Sequence, residues 1–152
     1  MRFLIVITTM LLTSNWAQTQ DASPCRLDIK SPKSGDTVET EIQVQGFSSL
    51  PPGSYLWILA HRKGISQWWP QGGGAARIQN GDFDVFVTLG NDKDSGRTFE
   101  IMGIVLDKAG NAQVEKWVSD SDAKQKWDIG LKVPSPMPGC EAQVRTIVVN
   151  RK

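Results

Sequence analysis

The sequence holds one histidine in 152 residues, so any triad or metal site that uses imidazole has to be built around His61. Charge of one sign is also missing. The 17 basic residues nearly balance 16 acidic ones and form no basic block, which removes the electrostatic footprint that nucleic acid or an anionic membrane surface requires. Long apolar runs are absent too. The one extended apolar stretch, residues 3–12, would span about 15 Å as a helix, roughly half the hydrocarbon thickness of a membrane, so a permanent membrane anchor is not expected. Neither Ser54 nor Ser66, the serines nearest His61, sits in a Gly-x-Ser-x-Gly turn, and the glycine run 72–74 lacks the lysine and following helix of a phosphate loop. No internal repeat or second domain boundary interrupts the chain.

What the sequence does have begins with a leader. Arg2 supplies a basic n-region, residues 3–12 an apolar core and Ala17 a small residue before a cut, the order of a secretory signal peptide. Residues 1–17 read as that leader, with a cut after Thr19 as the alternative, and residues 18–24 as a flexible N-terminal segment. Pro24 before Cys25, and the distance back to Leu12, argue against a lipoprotein cysteine. The remainder, 25–150, has the size of one domain able to bury its own core, exported to the periplasm or the medium. Cys25 and Cys140 are the only cysteines, and in an oxidising compartment two cysteines are expected to pair. Closing so long a loop contributes on the order of 4–5 kcal/mol in the chain-entropy account.

Fourteen glycines and eight prolines, spread between short apolar runs, predict many turns and an all-β domain. The run 55–61, YLWILAH, is the expected central strand: Tyr55, Trp57, Leu59 and His61 alternate with Leu56, Ile58 and Ala60, so both faces need cover. Residues 25–30 and 41–47 alternate as half-buried strands. Residues 82–89 do the same, with Phe83, Val85, Val87 and Leu89 inward and Phe86 the exception. Residues 98–106 are apolar on both sides, Phe99, Ile101 and Val105 on one and Met102, Ile104 and Leu106 on the other. A second sheet covers one face of the central pair. For the other, the spacing of Val114, Trp117 and Val118 predicts a short helix over 112–119, capped by Asn111 and lying over Leu56 and Ile58, with a further turn carrying Trp127. Pro134, Pro136 and Pro138 stiffen an approach to a last strand over 142–150.

Ile29-Lys30-Ser31-Pro32 with Gly35, a central strand carrying Trp57, and an Asp-Phe-Asp strand entered through Asn80-Gly81 together resemble the immunoglobulin-like β-sandwich domains of bacterial exported and surface proteins. The likeness covers residues 25–150 and implies a sandwich with one inserted helix before the last strand, with Trp57 in the position of the family's core tryptophan. Such domains mostly bind or act as spacers. This sequence departs from the antibody type: no cysteine lies on 41–47 or 98–106, and its one tyrosine, Tyr55, is on the central strand.

Chemistry beyond binding finds little support. His61 ends an apolar strand, the setting of a structural histidine rather than a catalytic base. Residues 91–96 imitate a calcium loop, but Lys93 would stand at a ligand position, so a solvated turn is expected and neither metal nor cofactor. Asp82 and Asp84 are outward acids of a solvated strand rather than a glycosidase pair. The expected function is therefore a non-catalytic binding or adhesion-type module recognising a glycan, peptide or protein, with a structural envelope role without a small-molecule site as the alternative. Trp68 and Trp69, with Arg62 and Gln71 nearby and the mobile glycines after them, form the expected recognition surface. The competing expectation is that one of these rings joins the core and the other shields an edge.

Overall fold

A computed structural model describes residues 25–152; the leader read over 1–17 and the segment 18–24 lie outside the described residues. Among the described residues nine strands form two sheets: β1 (Arg26–Ser31), β2 (Thr37–Val38), β3 (Glu41–Ser49), β4 (Tyr55–Arg62), β5 (Trp69–Pro70), β6 (Ile78–Gln79), β7 (Asp82–Thr88), β8 (Thr98–Leu106) and β9 (Arg145–Arg151). One sheet has the order β1-β3-β7-β6, the other β2-β9-β8-β4-β5. All pairings are antiparallel except β2 with β9. Among the described residues a single α-helix, α1 (Lys108–Lys124), lies between β8 and β9 in the chain.

Alternation places the inward residues of β3 and β7, Val44, Phe83, Val85 and Val87, against Leu56, Ile58 and Ala60 of β4 and Phe99, Ile101 and Val105 of β8. The outward residues of β4 and β8, Trp57, Leu59, Met102, Ile104 and Leu106, form a second core with Val114 of α1 and Leu131. β4 and β8 are thus buried on both faces, as their unbroken apolar character requires. Phe86 stands exposed on the outer face of the first sheet, as its place in the alternation implies.

The helix departs from expectation in extent and in the face it covers. It runs from Lys108 rather than 112, because Asp107, immediately after β8, is the cap: its Oδ1 accepts from the Gly110 amide at 2.8 Å. Asn111, the expected cap, is buried inside the helix and accepts from the Trp57 indole N–H at 2.8 Å. Leu56 and Ile58, expected beneath the helix, face the other sheet, while Trp57 and Leu59 lie beneath it. Trp57 is accordingly buried under α1 and not between the sheets as its likeness to a sandwich core tryptophan implied. A period of two separates the two faces of a strand without saying which meets the second sheet. On the helix side the buried indole N–H finds the acceptor it needs in Asn111 Oδ1.

The last strand begins at Arg145 rather than 142, because Glu141–Gln143 form a 3-10 turn. The proline-rich approach joins the sheet at one point, where the Met137 amide donates to the Val105 carbonyl. Cys25, just ahead of β1, is bonded to Cys140, just ahead of that turn, across a Cα–Cα distance of 5.4 Å. Among the described residues no helix is long and apolar enough to cross a membrane.

Candidate functional site

At one end of the sandwich the chain leaves β4 at Arg62, turns through residues 63–68 and returns as β5. Trp69 and Pro70 pair back onto Ala60 and Leu59. Facing this return is the loop after β7, Gly90 to Asp94, and closing the third side is Trp127 from the segment after α1. The result is an open cleft of about 630 Å³, within the ~300–1,000 Å³ of small-molecule sites.

Its aromatic wall is fixed. The half-buried Trp69 donates its indole N–H to the Trp127 backbone carbonyl at 2.8 Å. The Trp127 ring meets Trp117 of α1 edge-on, with centroids 5.5 Å apart and planes at 71°, and stays 43% exposed. The opposite rim is polar. Arg62 reaches Asp94 at 3.2 Å, while the other Asp94 oxygen accepts from the Asn91 amide, so this carboxylate is engaged on both sides. Gln71 fastens the two sheets together here: its Oε1 accepts from the Thr88 amide, its Nε2 donates to the Trp69 carbonyl, and its own amide donates to Ile58.

Of the four residues expected to form the recognition surface, Trp69, Arg62 and Gln71 line this cleft. Trp68 points the other way, as neighbours on an extended chain must. Its backbone exchanges two hydrogen bonds with Leu131, and its ring stacks on His61 with centroids 3.7 Å apart. His61 is 6% exposed, and its Nε2 lies 2.6 Å from Glu100 Oε2, directly opposite on β8. Among the described residues its Nδ1 has no hydrogen-bond partner and is sealed from solvent. The ring therefore lies between a carboxylate and an indole. The 91–96 turn engages its own side chains, Asn91 capping the Lys93 amide and Asp94 bonding back to the Asn91 amide.

Trp127 is the lining tryptophan that the sequence did not single out for recognition. The only local sign was a tryptophan set among Lys124, Gln125, Lys126 and Asp128, a polar stretch that offers it no core. A second, smaller recess adjoins the cleft through Arg62 and is lined by Lys63, Gly96, Arg97 and Thr98. No protein-family model matches the chain, and no curated protein matches it in sequence.

Proposed function

We propose that the protein is an exported, non-catalytic binding module of the immunoglobulin-like type, and that its ligand seats in the cleft against Trp69 and Trp127. The carrying observation is the exposed Trp127 ring, which meets Trp117 edge-on while its backbone carbonyl accepts from the Trp69 N–H, at the mouth of a cleft large enough for a small ligand or a protruding group. A fixed aromatic face at a cleft offers apolar contact without the entropy cost of ordering it on binding. A purely structural role leaves that exposure without a use. The non-catalytic reading draws on His61, whose Nε2 meets Glu100 and whose face is covered by Trp68.

The immunoglobulin-like reading draws support from strand order. Taking β1, β3, β7 and β6 as strands A, B, E and D, and β9, β8, β4 and β5 as G, F, C and C′, reproduces the pairing of such sandwiches, with β2 carrying the first edge over to the second sheet. Export draws support from the Cys25–Cys140 bond, which persists in oxidising compartments. The sequence has no basic block, and among the described residues no helix is long and apolar enough to cross a membrane, so neither observation lends support to nucleic acid or membrane as partner.

The test is retention of the purified protein on panels of immobilised glycans and envelope peptides, with Trp127→Ala run alongside. Retention of the wild type and its loss in the variant, at an unchanged unfolding midpoint, is the expected outcome. Equal retention of both proteins places recognition elsewhere and ends this reading.

A further inference from the structure

We infer that the ligand of this cleft is an acidic glycan: a sugar ring lies on the Trp69–Trp127 wall while a carboxylate of the same or the next residue enters the recess beside Arg62. The inference rests on the cleft being the binding site. Three observations carry it further.

The first is the sign of the recess. Arg62, Lys63 and Arg97 line it with Thr98 and Gly96, and no carboxylate does. Among the described residues neither Lys63 nor Arg97 has an ion-pair partner. Of the acids on this end, Asp94 holds Arg62 and Glu100 holds His61, while Asp92 is exposed on its turn and Asp128 is exposed beside Trp127, neither of them lining the recess. The chain as a whole is close to neutral, so a concentration of cations at one end is a local feature and not a reflection of composition.

The second is a buried cation behind that surface. Arg151 is 5% exposed, and among the described residues its guanidinium meets only neutral oxygens, the Thr40 hydroxyl at 3.1 Å and the Asn91 carbonyl. Its backbone is bonded to Gly96 and Arg97, the residues of the recess, and Asn91 lines the cleft. A guanidinium kept out of water without a counter-charge is costly, and its field is weakly screened. An anion arriving at the recess gains from that field.

The third separates a glycan from an acidic peptide. An extended peptide binds most readily by adding a strand to an open sheet edge. At β5 that route is closed, because the outward amide and carbonyl of Trp68 are bonded to Leu131. Recognition here has to come from side chains, an aromatic face with cationic and amide groups around it, which suits the apolar face and hydroxyl rim of a sugar ring.

The experiment is calorimetric titration of the exported protein with a set of defined oligouronates of differing sugar and linkage, with the same oligosaccharides after reduction of their carboxylates to neutral alcohols, and with polyglutamate. The expected result is binding of at least one oligouronate, weakened about tenfold or more by carboxylate reduction, by the Lys63→Gln/Arg97→Gln pair, or by raised salt. Trp127→Ala is expected to weaken the acidic and the neutral oligosaccharide alike. Equal affinity for acidic and neutral forms overturns the anionic subsite while leaving the cleft as a sugar site. Tight binding of polyglutamate that ignores Trp127→Ala overturns the glycan in favour of an acidic peptide. Failure of every oligouronate to bind overturns the inference outright, and the retention experiment above then decides the cleft by itself. Because Lys63 and Arg97 are exposed, the paired variant is checked for an unchanged unfolding midpoint.

Discussion

Replacing Trp57 by phenylalanine keeps a ring beneath α1 but removes the N–H that Asn111 accepts, leaving a buried amide oxygen without a donor. That group alone costs about 1–3 kcal/mol, whereas removing both polar partners together is much milder. Trp57→Phe is therefore expected to lower stability by at least that amount in urea unfolding. Adding Asn111→Leu should recover part of the loss; strictly additive losses would mean that the bond contributes nothing. A second residue argument concerns Gly46, which faces inward opposite Phe83 on β7. A Cβ there would sit 2.2 Å from the Asp28 carbonyl oxygen and 2.3 Å from the Phe83 ring, contacts that neither a backbone nor a wedged aromatic can yield to. Gly46→Ala is expected to destabilise by about 1–3 kcal/mol or more, the range for overpacking. An unchanged midpoint would show that β3 and β7 are less closely packed than this.

At the scale of elements, α1 is held by its underside and little else. Val114 is fully buried against Trp57, Leu59 and Leu106, and Trp117 is half-buried. On its solvent side the ion pair is Lys116–Asp120 at 2.8 Å, whose ammonium, chiefly through its hydrogen bond, holds the Asp120 carboxyl below the usual value. That contribution is present above the ordinary carboxylate pKa and disappears as pH falls through the lowered one, and solvent access to the pair keeps it slight. Val114→Ala is accordingly expected to cost about 1.5–3 kcal/mol. Trp117→Ala should cost less than the ~3–5 kcal/mol of a fully buried aromatic, yet should release Trp127 and weaken ligand retention. Trp117→Ala with full retention would show that Trp127 does not depend on it. The sheets were legible in the sequence because alternation in 82–89 and double-sided apolar character in 55–61 and 98–106 leave few placements. The helix was less so, because its polar second half, Ser119 to Lys124, carries no apolar period, and its true cap looked like the end of a strand. The site was legible only where its residues are neighbours in sequence. Trp69, Arg62 and Gln71 lie within one turn, whereas Trp127 reaches them by a hydrogen bond across 58 positions that no local pattern encodes.

At the scale of the molecule, the two sheets are joined at their far ends by a covalent bond. Cys25 precedes the edge strand β1 of one sheet, and Cys140 precedes β9 of the other, 115 positions away. Cys140 is buried in the core between the sheets, so the bond is part of the packing as well as a constraint on the unfolded chain. Loop closure over such a length reduces the freedom of the unfolded ensemble by an amount worth on the order of 4–5 kcal/mol, and measured losses for native disulfides run about 2–5. Beyond the two cysteines, both the sheet-to-sheet and the helix-side clusters are built of many other buried apolar side chains. The Cys25→Ala/Cys140→Ala protein is therefore expected to fold, to unfold cooperatively, and to lose about 2–5 kcal/mol in urea. Wild-type protein treated with reductant should fall toward the same midpoint, since both lack the same crosslink. A variant as stable as the oxidised wild type would mean that the ends of the chain are held without the bond, and that its contribution to the unfolded state is cancelled elsewhere.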